Sequence, residues 1–218
     1  MPRKPAEEAA ARPTRDSDAT RLRILNAAQV EFAKLGLAGA RIDSIALRAK
    51  SNKRMIYEYF GNKEGLFEAV LESAYQAIRQ AERKLRLEEL EPVEAITQLV
   101  TFTWKYYLKN PHFLTLVNSE NLHKAAHLKR AREKMHEMHT PMVSMVAEIL
   151  ARGVAQGVFR EGVDPIQLNI SIAAINYYYL NNRFTGEIIY GFDLMSPEAL
   201  QARIDFNVQT ILGMLRPN

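Results

Sequence analysis

The sequence of 218 residues has no cysteine and no long apolar run. The lack of cysteine excludes disulfide frameworks, thiol catalysis and thiolate metal sites. No stretch approaches the roughly 18 uninterrupted apolar residues of a membrane-spanning helix, and the N-terminus has no apolar segment of the signal-peptide kind. We therefore expect a soluble, cytoplasmic protein without membrane contact, and no pattern predicts a bound cofactor.

Catalytic patterns are also missing. The sequence contains no Gly-rich phosphate loop, no nucleophile paired with a base and no paired carboxylates at a recognisable spacing. A helical enzyme that binds an anionic substrate is one alternative, but these absences leave it without support. With 47% hydrophobic residues the chain can bury a core as one or two domains.

Positive charge is concentrated at the front of the chain. Up to Phe67 there are 13 Lys and Arg against 8 Asp and Glu, whereas the remainder has 16 against 17. This asymmetry is typical of a phosphate-binding segment joined to a neutral body. A chance fluctuation over a solvated surface is the alternative.

Three short helices are predicted after residues 1–17, which have no apolar period and indicate a flexible basic tail whose Arg12 and Arg15 could reach DNA. The first helix begins at Asp18 and ends at Gly36, and the second carries Ile45 and Ala46. The third runs from Lys53 to about Phe60 behind Asn52, a good N-cap residue. This spacing predicts a helix-turn-helix domain over 18–66.

The rest of the chain, 67–218, is predicted to be a larger helical domain, so the fold class is all-α. Asn62 is placed to cap a long fourth helix, and four later helices begin with proline: Pro92, Pro111, Pro165 and Pro197. Pro141 is expected to kink or break a long segment between Lys124 and Gly157.

One string of residues in the front segment has a specific spacing. It runs from Arg23-Ile24-Leu25, with Ala27-Ala28 and Phe32, through Gly36 and Ile45-Ala46 to Ile56-Tyr57, Tyr59-Phe60, Lys63-Glu64 and Leu66-Phe67. This string resembles the TetR/AcrR family of bacterial transcription regulators. The resemblance implies a homodimer that places two third helices in successive major grooves of a palindromic DNA operator. It also implies a C-terminal domain for a small-molecule effector.

The predicted DNA contacts lie on and around the third helix. Asn52, Lys53 and Arg54 stand at its start, where the helix dipole also favours an anion. Tyr57 and Tyr59 are expected to donate to phosphate oxygens, and Lys63 resembles the phosphate-binding lysine of the family. Phosphate contacts fix the register of a protein on DNA, whereas base contacts select sequence.

The sequence departs from the pattern of the family at two places, the turn before the third helix and the start of the second helix. Lys50 and Ser51 stand where glycine and an apolar residue are usual, so Lys50 either takes a left-handed conformation at about 1 kcal/mol or the turn differs. Ala40 replaces the usual hydroxyl residue before the second helix and cannot cap it, although Arg41 beside it could reach a phosphate.

A candidate effector cavity is predicted from rings and thioethers in the second domain. The proposed lining residues are Trp104, Tyr107, Phe113, Met142, Met145, Asn176 and Tyr177. Such side chains suit an apolar ligand with a few polar anchors. Ordinary core packing is the alternative for each of them, and a backbone carbonyl rather than a ligand could satisfy the Asn176 amide.

Metal binding is considered for Glu120, His123 and His127, which lie at helical ligand spacing, as do His136 and His139. Nearby Lys and Arg residues oppose a divalent ion, so we predict no metal site. A solvated basic face is the interpretation that we prefer.

The last two predicted helices, about 165–184 and 197–215, carry apolar residues on more than one side. The surplus indicates a partner, and the family resemblance implies a four-helix homodimer interface. An entirely buried monomeric core is the alternative.

Together these observations predict a ligand-responsive DNA-binding transcriptional regulator. A repressor released from its operator by a small molecule is the leading hypothesis. The alternatives are an activator without small-molecule induction and a helical interaction module that keeps only the helix-turn-helix shape.

Overall fold

The computed structural model describes residues 14–217, with side-chain burial from residue 17 onward. The all-α prediction is confirmed, because the regular elements in this range are all helices and none is a strand. The helices are α1 Thr14–Gly39, α2 Ile42–Arg48, α3 Lys53–Phe60, α4 Lys63–Arg83, α5 Pro92–Lys109, α6 Pro111–Leu122, α7 Arg132–Ala155, α8 Pro165–Asn181, α9 Arg183–Tyr190 and α10 Pro197–Leu215. Two 3-10 turns occupy Leu87–Glu89 and Leu128–Ala131.

The first helix starts earlier than the sequence predicts, at Thr14 rather than Asp18. Arg12 and the rest of 1–13 lie outside the described residues, as does the side chain of Arg15. Gly36 does interrupt the helix, since its φ of +66° and ψ of 177° are not helical. Glycine adopts such a conformation without the steric cost that a Cβ atom brings.

The chain divides into two compact units between Ala69 and Val70, inside α4. The first unit has a small core, to which α1 contributes Ile24 and Phe32, α2 contributes Ile45 and α3 contributes Ile56. Phe32 meets Phe67 of α4 edge to face, with ring centroids 5.0 Å apart. These contacts hold α1, α2, α3 and the start of α4 together as one body.

Local sequence signals fix most helix starts. The Asn52 side chain accepts a hydrogen bond from the Met55 amide at 2.9 Å, and Asn62 accepts one from Gly65 at 2.7 Å. Each bond satisfies one of the backbone donors left unpaired at a helix N-terminus. Prolines 92, 111, 165 and 197 each occupy the first position of a helix, as predicted.

The second unit is built around α5, which packs against α7, α8 and α10. Its buried residues include Leu99, Val100 and Trp104, whose ring lies edge to face with Tyr179 of α8. Arg152 of α7 donates to the carbonyls of Leu87 and Leu90 and so anchors the first 3-10 turn. Among the described residues no helix is long and apolar enough to cross a lipid bilayer.

The sequence predicts a kink or a break at Pro141, and the break does not occur. Helix α7 continues through this residue, whose ring is exposed, and the Thr140 hydroxyl donates to the His136 carbonyl at 2.9 Å. Proline removes one backbone donor, but on an exposed side water can hydrate the carbonyl that loses it. The interruption falls earlier, at Lys124 and Ala125, which both have φ of +56°.

Helix α9 is an element that the sequence analysis missed. Its sequence, RFTGEIIY, contains Gly186, and a glycine inside a helical pattern weakens the prediction of a helix. The structure gives this glycine a packing role, because a Cβ atom there would lie 2.9 Å from Cδ2 of Leu194. Gly186 therefore allows the chain after α9 to fold back closely onto it.

Candidate nucleic-acid interface and ligand cavity

A tight turn separates α2 from α3 in the first unit. Lys50 in this turn has φ of +50°, so of the two alternatives the left-handed lysine is the one observed. The Ser51 amide donates to the Ala46 carbonyl at 3.0 Å, which closes the turn behind α2. As expected for Ala40, no side chain caps α2; the N-cap residue is Arg41, with no side-chain hydrogen bond.

The two cations at the start of α3 are exposed and each contacts one carboxylate. Lys53 forms an ion pair with Asp43 of α2, and Arg54 Nε donates to Glu58 Oε1 at 2.8 Å. The Arg54 side chain is 85% exposed. Exposed ion pairs of this kind contribute only about 0–1 kcal/mol, so a polyanion can replace either carboxylate at small cost.

The tyrosines of α3 differ in their surroundings. Tyr57 is exposed, whereas Tyr59 is half-buried and its hydroxyl lies 3.1 Å from the Ser17 hydroxyl of α1. Ile56, which directly precedes Tyr57, is fully buried. One side of α3 therefore binds the scaffold, while Lys53, Arg54 and Tyr57 remain on the solvent side.

Lys63 has a structural contact as well as its predicted phosphate role. Its ammonium donates to the carbonyls of Ala38 at 3.3 Å and Ala40 at 3.1 Å. An ammonium has three protons, so one donor remains for a phosphate oxygen. Arg41 is exposed, and its backbone amide donates to Glu31 at 3.4 Å. The DNA-binding roles of all seven residues stay predictions.

The second unit contains a cavity of about 620 Å³, bounded by α4, α5, α6, α7 and α8. Three of the predicted effector residues, Tyr107, Phe113 and Tyr177, line it. Tyr107 and Phe113 are stacked with centroids 5.8 Å apart, and Tyr75 meets Phe113 edge to face at 5.4 Å. The volume lies within the range of small-molecule sites, about 300–1,000 Å³.

The other four predicted residues do not line this cavity. Trp104 and Met142 are buried in the core, and Met145 is half-buried elsewhere on α7. Asn176 is fully buried, and its amide nitrogen donates to the Ile172 carbonyl at 2.8 Å. Composition alone identifies aromatic and methionine side chains that suit a ligand. It does not indicate which side of a helix faces the cavity.

Asn176 belongs to a buried polar contact between helices. Its amide oxygen accepts a hydrogen bond from Asn207 of α10 at 2.9 Å, and its nitrogen also lies 3.5 Å from the Val100 carbonyl of α5. These partners satisfy the amide without a ligand, which settles the alternative in favour of protein partners. Buried polar groups without partners are costly, so the pair couples α8 to α10.

The cavity wall includes a charged pair that the sequence analysis missed. Arg79 and Glu82 lie one turn apart on α4, with Nη1 and Oε2 separated by 3.0 Å. The contact lacks hydrogen-bond alignment, and Nε and Nη1 of Arg79 and Oε2 of Glu82 are buried without a hydrogen-bond partner. A charged pair at this spacing usually marks a solvated helix face, so the spacing itself does not indicate burial.

Burial governs the ionisation of this wall. Desolvation raises the pKa of Glu82 to about 7, although the Arg79 charge opposes the shift. Desolvation also raises the pKa of Tyr75, Tyr107 and Tyr177, so these phenols stay neutral at physiological pH. The pKa of His139 is lowered by desolvation and then by the Arg79 and His136 charges.

The preference for a solvated basic face around the histidines is wrong for two residues. Glu120 and His127 are buried, and the carboxylate accepts bonds from the His127 amide at 2.8 Å, the Leu128 amide at 3.0 Å and His127 Nδ1 at 2.7 Å. Glu120 therefore binds the turn after α6. Within residues 14–217 no cluster of three or more His, Asp or Glu could hold a metal ion.

Apolar side chains are exposed on the last three helices. They include Ile166, Ile170 and Tyr178 of α8, Phe184, Ile188, Ile189 and Tyr190 of α9, and Phe206 and Met214 of α10. We call this set the apolar surface. The opposite face of these helices, with Leu168, Ile172 and Ile211, is buried in the core. Clusters of exposed apolar residues often mark protein interfaces.

Comparisons with known proteins agree with this architecture. A family model described as bacterial regulatory proteins, tetR family, matches residues 24–70, and one described as tetracyclin repressor-like, C-terminal domain, matches residues 92–211. The HTH-type transcriptional repressor NicS of Pseudomonas putida is 40% identical over 200 residues, covering 92% of this chain and 94% of that protein.

Two further matches concern Streptomyces coelicolor. The HTH-type transcriptional repressor SCO4008 is 59% identical over 58 residues, which are 27% of this chain and 30% of that protein. The crystal structure of SCO4942 has the same fold, with a TM-score of 0.67 and 24% identity over 91% of this chain and 99% of that one. This chain therefore belongs to the TetR family of bacterial regulatory proteins.

Proposed function

We propose that this protein is a transcriptional repressor, not an enzyme, which binds a palindromic DNA operator as a homodimer and releases it when a small molecule occupies the cavity of about 620 Å³. The observation that carries the proposal is α3, a capped helix with Lys53, Arg54 and Tyr57 on its solvent side. Membership of the TetR family and the similarity to repressors support it.

DNA binding in this proposal divides between base-reading and phosphate-binding residues. Arg54 and Lys53, at the N-terminal end of α3, have the donors that pair with guanine edges in the major groove. Lys63 and Arg41 lie outside α3 and contact phosphate. Asp43 pairs with Lys53 in the absence of DNA, so the operator must displace this carboxylate.

The test is fluorescence anisotropy on a genomic fragment selected by the protein, against a scrambled duplex, over a series of salt concentrations. Arg54→Ala should reduce the preference for the selected fragment by about 1–3 kcal/mol per lost bidentate contact. Asp43→Asn should strengthen binding to both duplexes, because it removes an anion beside the phosphates. Lys84→Ala, an exposed cation outside this unit, is the matched control.

A protein that retains neither duplex in dilute salt would contradict the repressor hypothesis and favour the interaction module. Equal losses on both duplexes from Arg54→Ala would remove its base-reading role. Whether the regulator represses or activates follows from transcription assays on the selected promoter with and without the protein.

We infer that the homodimer forms through the apolar surface of α8, α9 and α10. Ile188 is 85% exposed, and a two-fold interface would bury each such residue twice. Ile188→Lys or Phe206→Lys should shift sedimentation from dimer to monomer at micromolar concentration. Leu122→Lys, at a similarly exposed leucine of α6, is the control and should leave the dimer intact. A wild-type monomer at that concentration would refute this interface.

Effector binding should act through α4. The same helix carries Lys63 in the first unit and Tyr75, Arg79 and Glu82 of the cavity wall in the second. A ligand that moves these three side chains can displace α4 and weaken DNA binding. Because coupling is reciprocal, the effector must then bind more weakly when operator is present.

A further inference from the structure

The cavity wall contains hydrogen-bonding atoms that the protein itself does not satisfy. Nε and Nη1 of Arg79 are buried donors without hydrogen-bond partners, and the side chain is only 13% exposed. Oε2 of Glu82 is a buried acceptor that also has no hydrogen-bond partner. A buried, unpaired polar group is costly, and a ligand that pairs with it gains from relieving that cost.

A carboxylate is the ligand group that fits this arrangement. A guanidinium binds carboxylates through two parallel N–H···O bonds, which are shorter and stronger than neutral hydrogen bonds. A neutral amide or hydroxyl offers fewer acceptor sites and no charge. Glu82 is the only carboxylate within hydrogen-bonding range of Arg79 among the described contacts, and its alignment is poor.

The remaining wall suits a flat apolar body. Tyr75, Tyr107, Phe113 and Tyr177 present ring surface to the cavity, while Asn118 and Asn121 of α6 supply neutral polar groups. Rings prefer to pack edge to face or offset against other rings. A volume of about 620 Å³ accommodates a one-ring compound with ease.

We propose that the effector is a small aromatic monocarboxylate, whose carboxylate binds Arg79 while its ring packs among Tyr75, Tyr107 and Phe113. This inference rests on the proposed function, since it names the chemical class that the same cavity takes. Glu82 releases Arg79 to the ligand when it is protonated, and its O–H then becomes a second donor to the bound anion.

Ligand binding is consequently linked to proton uptake. Glu82 has a pKa of about 7, so its protonated fraction falls about tenfold between pH 6 and pH 8. An aromatic carboxylic acid with a pKa near 4 stays ionised over that range. If only the protonated form of Glu82 permits binding, the affinity falls by about the same factor as pH rises.

Other titratable groups around the pair do not produce this dependence. The tyrosines that face it, Tyr75 of α4, Tyr106 and Tyr107 of α5 and Tyr177 of α8, have raised pKa values and stay neutral. Glu120 of α6 acts on Tyr75 and is engaged by the His127 turn. The pKa of His139 of α7 is lowered, chiefly by desolvation, which favours its neutral form.

The test is isothermal titration calorimetry of the full-length protein with benzoate, the three monohydroxybenzoates and the neutral analogue benzamide. Benzoate or one of the monohydroxybenzoates should bind at least tenfold more tightly than benzamide, as charge-assisted hydrogen bonds predict. Arg79→Met should reduce that ratio to about one. Arg83→Met, an exposed arginine on the same helix, should leave it unchanged.

The pH dependence provides a second readout. The fall in affinity between pH 6 and pH 8 should disappear in Glu82→Gln and persist in His139→Gln. The opposite pattern would overturn the role of Glu82. Circular dichroism verifies that each variant is folded, and if Arg79→Met fails to fold, Arg79→Lys replaces it, with an expected loss of the two-point contact and a partial loss of the ratio.

Failure of this inference is distinguishable from failure of the proposed function. If none of the four carboxylates binds at millimolar concentration, or if benzamide binds as tightly, the carboxylate class is wrong, while retention of an operator fragment would still support the repressor. If no DNA is retained but the carboxylates bind through Arg79, the cavity stands and the repressor function falls.

Discussion

Gly65 offers a sharp test of how the first unit holds its third helix. It lies in the first turn of α4, and a Cβ atom there would be 2.3 Å from the backbone oxygen of Phe60, the last residue of α3. Ordinary carbon–oxygen contacts are about 3.3 Å or longer, so Gly65→Ala must move the end of α3 by about 1 Å. Alanine keeps the backbone amide that donates to the Asn62 side chain, so the substitution does not remove the capping hydrogen bond.

The expected cost follows from two opposing effects. Overpacking that forces a backbone shift costs about 1–3 kcal/mol, whereas alanine gains up to about 1 kcal/mol over glycine in a helix. A net loss of about 1–2 kcal/mol is large for a unit of this size, because a small core rarely supplies more than about 3–5 kcal/mol. DNA affinity should also fall at least tenfold, since the proposed base contacts depend on the position of α3.

Two measurements check this prediction. Hydrogen exchange should show faster exchange of the α3 amides in Gly65→Ala, and anisotropy should show the loss of operator affinity. Gly213→Ala is the matched control, because a Cβ atom at that helical glycine meets nothing within 4 Å. A Gly65→Ala protein with unchanged α3 exchange and unchanged affinity would refute the steric argument.

Three further predictions concern separate contacts. Lys63→Met removes two hydrogen bonds to backbone carbonyls, so denaturant melts should show that the free energy of unfolding of the first unit falls by about 1 kcal/mol. Because the variant also lacks one cation, a salt series should show a smaller salt dependence of DNA binding. Gly153→Ala places a Cβ atom 2.0 Å from the ring of Phe159, and urea denaturation should show a loss of about 1–3 kcal/mol that Gly213→Ala does not cause. Asn176→Leu leaves the buried Asn207 amide without its partner and should cost about 1–3 kcal/mol in the same assay, whereas replacing both asparagines by leucine should recover part of that loss.

The parts of the fold that depend on local sequence were predictable. Asn52 and Asn62 cap helices through their own backbone neighbours, and the four helix-starting prolines act within a single turn. The helix-turn-helix followed from these signals and from the spacing of three predicted helices between Asp18 and Phe60. Such features need no knowledge of what packs against them.

The cavity was less predictable because burial there is decided by distant helices. Arg79 and Glu82 have the spacing of a solvated pair, and only the packing of the surrounding helices encloses them. The same reason explains why Glu120 and His127 were assigned to a solvated face. Trp104 and Met142 had the right chemistry for a cavity, but their side of the helix faces a filled core.

Replacing the left-handed Lys50 should raise the thermal stability of the protein and lower its affinity for DNA. A glycine would adopt the φ of +50° without the steric cost of about 1 kcal/mol, and the turn between α2 and α3 would relax. The same exchange would remove a cation two residues before the N-cap of α3. Directed evolution for survival at high temperature should therefore select glycine at this position, and the sturdier variant would hold its operator less tightly.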